Sequence, residues 1–74
     1  MRLYNAVYLL RDRKKVSVYL KGDMIIERIT GTELEARLES DLCKYSRLEI
    51  DKIECYWRTH GTDTVFYHTK LYLR

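Results

Sequence analysis

The 74-residue sequence has no proline, only three glycines and two cysteines, and no long apolar run. Each shortage removes a class of protein. Without proline there is no stiff proline-rich linker or recognition segment. Gly22, Gly31 and Gly61 are too scattered to form a loop that cradles a phosphate. Cys43 and Cys55 are too few for a disulfide framework, and their spacing with His60 and His68 is not that of a structural zinc site. No metal or cofactor is therefore expected. A membrane span needs about 18 consecutive apolar residues. The opening run is broken by Tyr4, Asn5 and Tyr8, and it lacks a small-residue cleavage site. The expectation is a cytoplasmic protein with free thiols.

What the sequence does have is seven tyrosines and an uneven charge. Residues 1–21 carry six basic side chains against Asp12 alone, residues 22–54 carry five basic against nine acidic, and residues 55–74 carry three basic against Asp63. The ends are basic and the middle is acidic, so a sheet built from the ends and a helix from the middle would give the molecule a positive and a negative side. There are no repeats, low-complexity stretches or linker-like segments. One domain, residues 1–74, is expected.

Arg2–Leu10 is rich in Tyr, Val and Leu and bounded by charge, and reads as a strand. Arg11–Lys15 is a polar turn. Val16, Val18 and Leu20 alternate with Ser17, Tyr19 and Lys21, the period of a half-buried strand. Pairing Leu9 with Val18 and Val7 with Leu20 puts Leu3, Val7 and Leu9 on the core side and Tyr4, Tyr8 and Tyr19 together on the other. A slip of one residue exchanges the faces. Gly22-Asp23 suits a type II′ turn into a third strand, Met24–Ile29.

The helix follows. Thr32-Glu33-Leu34-Glu35 fits a capping box, as does the frame starting at Thr30. Leu34, Leu38, Leu42 and Tyr45 form one narrow apolar stripe, enough to cover one face of one sheet. Glu33–Arg37 and Arg37–Asp41 are (i, i+4) pairs.

Leu48–Arg74 reads as a β-hairpin around His60-Gly61-Thr62-Asp63. A three-residue loop, Gly61–Asp63, sets His60 opposite Thr64. Ile53, Cys55, Trp57 and Thr59 then meet Leu71, Thr69, Tyr67 and Val65 on one face. Lys52, Glu54, Tyr56 and Arg58 meet Tyr72, Lys70, His68 and Phe66 on the other. A two-residue Gly61-Thr62 loop would set Ile53 against Lys70 and Cys55 against His68. Leu48 and Ile50 are out of phase with Ile53, which predicts a bulge near Asp51-Lys52.

The expected fold is thus a small single-domain α+β protein, β-β-β-α-β-β, with a twisted antiparallel sheet and one helix packed on one face. Val7, Val18, Leu20, Ile53, Trp57, Tyr67, Leu71 and the helix stripe would form the core. Tyr4, Tyr8, Tyr19, Tyr56, Phe66 and Tyr72, with Lys52, Arg58, His68 and Lys70, would lie on the uncovered face. So large an aromatic patch calls for a cover. The leading expectation is a non-enzymatic interaction or regulatory protein, self-associating or docking and inhibiting a partner protein, of the compact kind carried by mobile genetic elements or viruses. The alternative is single-stranded nucleic acid on the same face, with Arg11, Arg13, Lys14 and Lys15 meeting phosphates. Against it, no RNA-recognition octapeptide, KH glycine loop, helix-turn-helix or zinc-finger spacing is present. A small ribonuclease using His60 or His68 with a tyrosine and Arg58 is the remote reading; no catalytic residues, membrane contact or small-molecule substrate are expected.

Overall fold

A computed structural model describes Met1–Arg74 in full. The order is α1 (Leu3–Ala6), running directly into a 3₁₀ turn (Val7–Leu10), β1 (Val16–Leu20), β2 (Asp23–Ile29), α2 (Gly31–Leu38), a 3₁₀ turn (Cys43–Tyr45), β3 (Ile50–His60) and β4 (Asp63–Leu73). The four strands form one sheet in the order β2-β1-β4-β3. The class is α+β, as the sequence implies. No helix is long and apolar enough to cross a membrane.

The first element corrects the sequence reading: residues 3–10 are helical, not a strand. Leu3, Ala6, Val7 and Leu10 recur at helical spacing, and all four are buried. The strand reading needed Leu9 in the core with Leu3 and Val7; Leu9 is instead 64% exposed, because packing against α2 selects the helical face. With the N-terminal segment out of the sheet, β1 takes β4 as its second neighbour. That pairing is parallel, from Val16 opposite Thr69 to Leu20 opposite Leu73, so the sheet is mixed and not wholly antiparallel.

Helix α2 starts where Thr30 caps it, the hydroxyl accepting from the Glu33 N–H at 3.1 Å. It ends at Leu38, and turns carry Leu42 and Tyr45 onward along the same side. The side chains of Leu34, Leu38 and Leu42 are buried with Leu3, Val7, Leu10, Val16, Val18, Ile26, Leu71 and Leu73. Each fully buried leucine contributes about 1.5–3 kcal/mol. Arg37 pairs with Asp41 at 2.9 Å, holding that carboxyl below its usual range by hydrogen bonding.

Gly31 is where α2 and the N-terminal segment touch. Its N–H donates to the Arg13 carbonyl at 2.9 Å, and a Cβ there would lie 1.6 Å from the Leu10 carbonyl oxygen. Only glycine allows this approach.

Both hairpin loops have two residues. Leu20 faces Asp23, so the first loop is Lys21-Gly22 and not Gly22-Asp23. Positive φ at both Lys21 (50°) and Gly22 (88°) makes it type I′. In the second, His60 faces Asp63, and Gly61 alone has positive φ (67°), as type II′ requires. The expected three-residue loop is therefore wrong at the tip, where Trp57 faces Phe66, Arg58 faces Val65 and Thr59 faces Thr64. A bulge at Tyr67 then restores the expected pairs from Tyr56–His68 to Lys52–Tyr72, and the predicted bulge near Asp51 is present.

The hairpin sets the shape. An 11-residue strand spans about 36 Å, close to the longest dimension of the molecule, 41 Å. The helices cover the root of this hairpin and leave the outer half as a two-stranded arm. Trp57, expected in the core, is 58% exposed for that reason; Ile53, also expected there, lies on the edge strand at 43%, and Tyr67 is turned out by the bulge at 41%.

Candidate interaction surface

The face of the sheet opposite the helices carries a run of tyrosines interleaved with cations. Tyr19 and Tyr72 are direct partners across the parallel β1–β4 ladder, and their rings stack at 5.0 Å and 16°. Lys70 reaches the rings of both Tyr19 (5.9 Å) and Tyr56 (5.1 Å), and Lys52 lies 5.5 Å from Tyr72. Farther along, Tyr56 tilts against His68 (6.1 Å) and Tyr67 (6.2 Å), and Arg58 sits 5.1 Å over Tyr67. Exposed cation–π contacts of this kind contribute about 0.5–1 kcal/mol each. They place the ammonium and guanidinium groups over the rings.

Glu54 is the acidic member. Its carboxylate pairs with Lys52 at 3.6 Å. Hydrogen bonding to the Tyr72 hydroxyl holds Glu54 below its usual range, and the same contact raises Tyr72 to about 12. Tyr72 is a neutral donor at physiological pH.

His68 is set deeper. Its Nε2 is 2.8 Å from Ser17 Oγ, which also accepts from the Arg28 N–H at 3.2 Å. Arg28 has φ of 37°, at the bulge where two β2 residues oppose Ser17. Burial lowers the His68 pKa first, and the charges of Lys70, Arg28 and Lys15 lower it further. The imidazole is therefore neutral near pH 7, and its tautomer sets which of the two groups donates. Ser17 is wholly buried, and the serine–histidine pair ties β1, β2 and β4 together. Cys55 faces Thr69 on the other side of the sheet from His68, and no group of three or more His, Cys, Asp or Glu could hold a metal.

Of the residues singled out from sequence, Tyr19, Tyr56, Arg58, His68, Lys70 and Tyr72 lie together here. Tyr4, Tyr8 and Phe66 do not. Tyr4 and Tyr8 are on the outer side of the N-terminal helix, lining a shallow hollow with Glu35, Leu38 and Glu39, because residues 3–10 are not a strand. Phe66 and Tyr67 exchange places through the bulge. Phe66 turns to the helix side under the Arg13 guanidinium (3.7 Å), and Tyr67 joins the open face. The Arg11–Lys15 cluster is divided: Arg11 binds Glu35 at 2.9 Å and Arg13 stacks on Phe66, leaving Lys14 and Lys15 exposed. Sequence reasoning missed Tyr67 and Ser17. Ser17 had a usable signal, a small hydroxyl residue flanked by two core valines.

Comparison with protein-family models, characterised proteins and solved structures gives no match to this chain.

Proposed function

We propose that this chain is a small non-enzymatic interaction protein that docks an acidic surface of a partner protein on the helix-free face of its sheet, and so regulates or inhibits that partner. The supporting observation is the run from Tyr19 and Tyr72 through Lys70 and Tyr56 to Tyr67 and Arg58, uncovered by any helix. Tyrosine and arginine are the side chains that dominate interface energetics, because they combine large contact area with a polar tip. Three cations, Lys52, Arg58 and Lys70, outnumber Glu54, which favours an acidic partner. In this reading the chain works inside the cell, where its exposed free cysteines stay reduced.

The test compares wild type with Lys52→Glu plus Lys70→Glu and with Tyr56→Ser plus Tyr72→Ser as affinity baits. The expected result is a partner that forms a stoichiometric complex with wild type in sedimentation and is lost by both variants. A partner retained equally by both variants refutes the proposal.

Stacking on single-stranded nucleic acid is the competing reading, favoured by the same alternation of rings and cations. It is weakened because Tyr19 and Tyr72 already occupy each other's faces. Anisotropy with random-sequence oligonucleotides at low salt distinguishes the two. Binding that falls steeply with salt and is lost on Arg58→Ala or Tyr56→Ala would replace the protein-docking reading.

A further inference from the structure

The outer edge of β3 is open along most of its length. β3 is the last strand of the sheet, and β4 occupies only one of its edges. On the other edge the N-terminal segment closes the first few residues: the Ile50 N–H donates to the Met1 carbonyl at 2.8 Å and the Leu3 N–H to the Leu48 carbonyl at 3.0 Å. Beyond the Asp51 bulge nothing lies beside the strand. Lys52–His60 therefore offers a row of backbone donors and acceptors, the usual template for pairing with another strand. The outer half of this hairpin is also unsupported, and an isolated two-stranded ribbon is marginal in water.

The open segment has a centre, Tyr56, four residues from either end. We infer that a second copy of this chain occupies this edge, β3 pairing antiparallel with β3 of the partner copy about a two-fold axis through Tyr56, normal to the sheet. Three features of the strand favour this occupant. The axis brings Glu54 opposite Arg58 of the partner copy and Arg58 opposite its Glu54, so two opposite-charge pairs form. On the helix side, Cys55 meets Trp57 of the partner copy and the reverse, covering side chains that the monomer leaves exposed. Each projecting tip, residues 57–60, lies along residues 52–55 of the other copy, the part of the strand nearer its core. The neighbouring register centred on Cys55 is disfavoured because it sets Lys52 against Arg58. The helices lie over β1, β2 and β4, away from this edge. Pairing yields a continuous eight-stranded sheet, an isologous dimer. It joins the two tyrosine faces at Tyr56 into one surface, which goes beyond the docking reading and does not depend on it.

A charge exchange measured by analytical ultracentrifugation is the test. Wild type should show a monomer–dimer equilibrium in the micromolar range. Glu54→Arg alone and Arg58→Glu alone each create two like-charge pairs per dimer and should weaken association about tenfold or more. The double variant, Glu54→Arg with Arg58→Glu, restores both pairs and should return to within about threefold of wild type. Circular dichroism checks that each variant is folded, and rescue in the double variant cannot come from a misfolded chain. A wild type that stays monomeric to high micromolar concentration overturns the inference. So do single variants that associate as wild type does, or a double variant as weak as the singles.

Discussion

Replacing Gly31 by alanine separates local from tertiary control of this fold, because the two predict opposite signs. Gly31 is the first residue of α2, and propensity alone would credit alanine with up to about 1 kcal/mol over glycine in a helix. The packing says otherwise. The new Cβ would lie 1.6 Å from the Leu10 carbonyl oxygen, 2.5 Å from its carbon and 3.2 Å from the Arg11 Cα. All three are backbone atoms, so no side chain can swing aside. Restoring an ordinary contact of about 3.5 Å means moving the α2 N-terminus off the N-terminal segment by roughly 2 Å. Over-packing of this kind costs about 1–3 kcal/mol. Breaking the Gly31 N–H bond to Arg13 adds about 1–3 kcal/mol, since Gly31 is buried and its donor would be left unsatisfied. The expected loss is ~2–6 kcal/mol, against a total stability of about 4–11 kcal/mol for a chain of this length. Urea unfolding followed by far-ultraviolet circular dichroism measures it. Gly61→Ala is the control: open space surrounds that position, and its positive φ alone costs about 1–2 kcal/mol. A Gly31→Ala variant as stable as wild type would refute the packing of α2 on residues 3–10.

Two further outcomes follow from the polar groups within the sheet. The Thr69 hydroxyl is buried without a hydrogen-bond partner, so Thr69→Val should raise stability by roughly 1 kcal/mol in urea unfolding, where loss of a hidden hydrogen bond would lower it. His68 is held below its ordinary pKa of 6.5 in the folded chain. The unfolded chain therefore binds the extra proton first, and stability should fall as pH drops below about 6.5, levelling once the folded state is protonated too. Unfolding midpoints measured in that range should lose this component in His68→Gln; a wild-type slope of the opposite sign would contradict the assignment.

Much of the fold was legible because local chemistry and burial agreed. A capping threonine and the Leu34–Leu38 spacing both point to α2; the cap is Thr30 and not Thr32, and Leu42, expected on the same helix, comes from the turn beyond it. The root of the long hairpin was legible from side-chain pairing alone, from Lys52–Tyr72 to Tyr56–His68. Its tip was not, because a two-residue loop and a compensating bulge at Tyr67 shift the register and then shift it back. Glycine in the first loop position was itself the signal for type II′ at Gly61-Thr62. Residues 3–10 fit a strand and a helix equally well by pattern, and short apolar runs are ambiguous in that way. The parallel contact of β1 with β4 joins residues some fifty positions apart and leaves no local trace. That contact creates the Tyr19–Tyr72 stack and the Ser17–His68 bond, so the part of the surface it builds could not be assembled from sequence.

The central claim is that the outer hairpin and its aromatic side chains stand clear of the chain's own core and are free for partners. It is tested most directly by the unfolding free energies of Trp57→Ser and Tyr67→Ser, at a concentration where the chain is monomeric. If both side chains are as exposed as they stand here, each substitution costs less than about 1.5 kcal/mol, the worth of an aromatic contact at a surface. Losses of about 3–5 kcal/mol, the cost of truncating a core aromatic, would place both residues inside and leave no free arm.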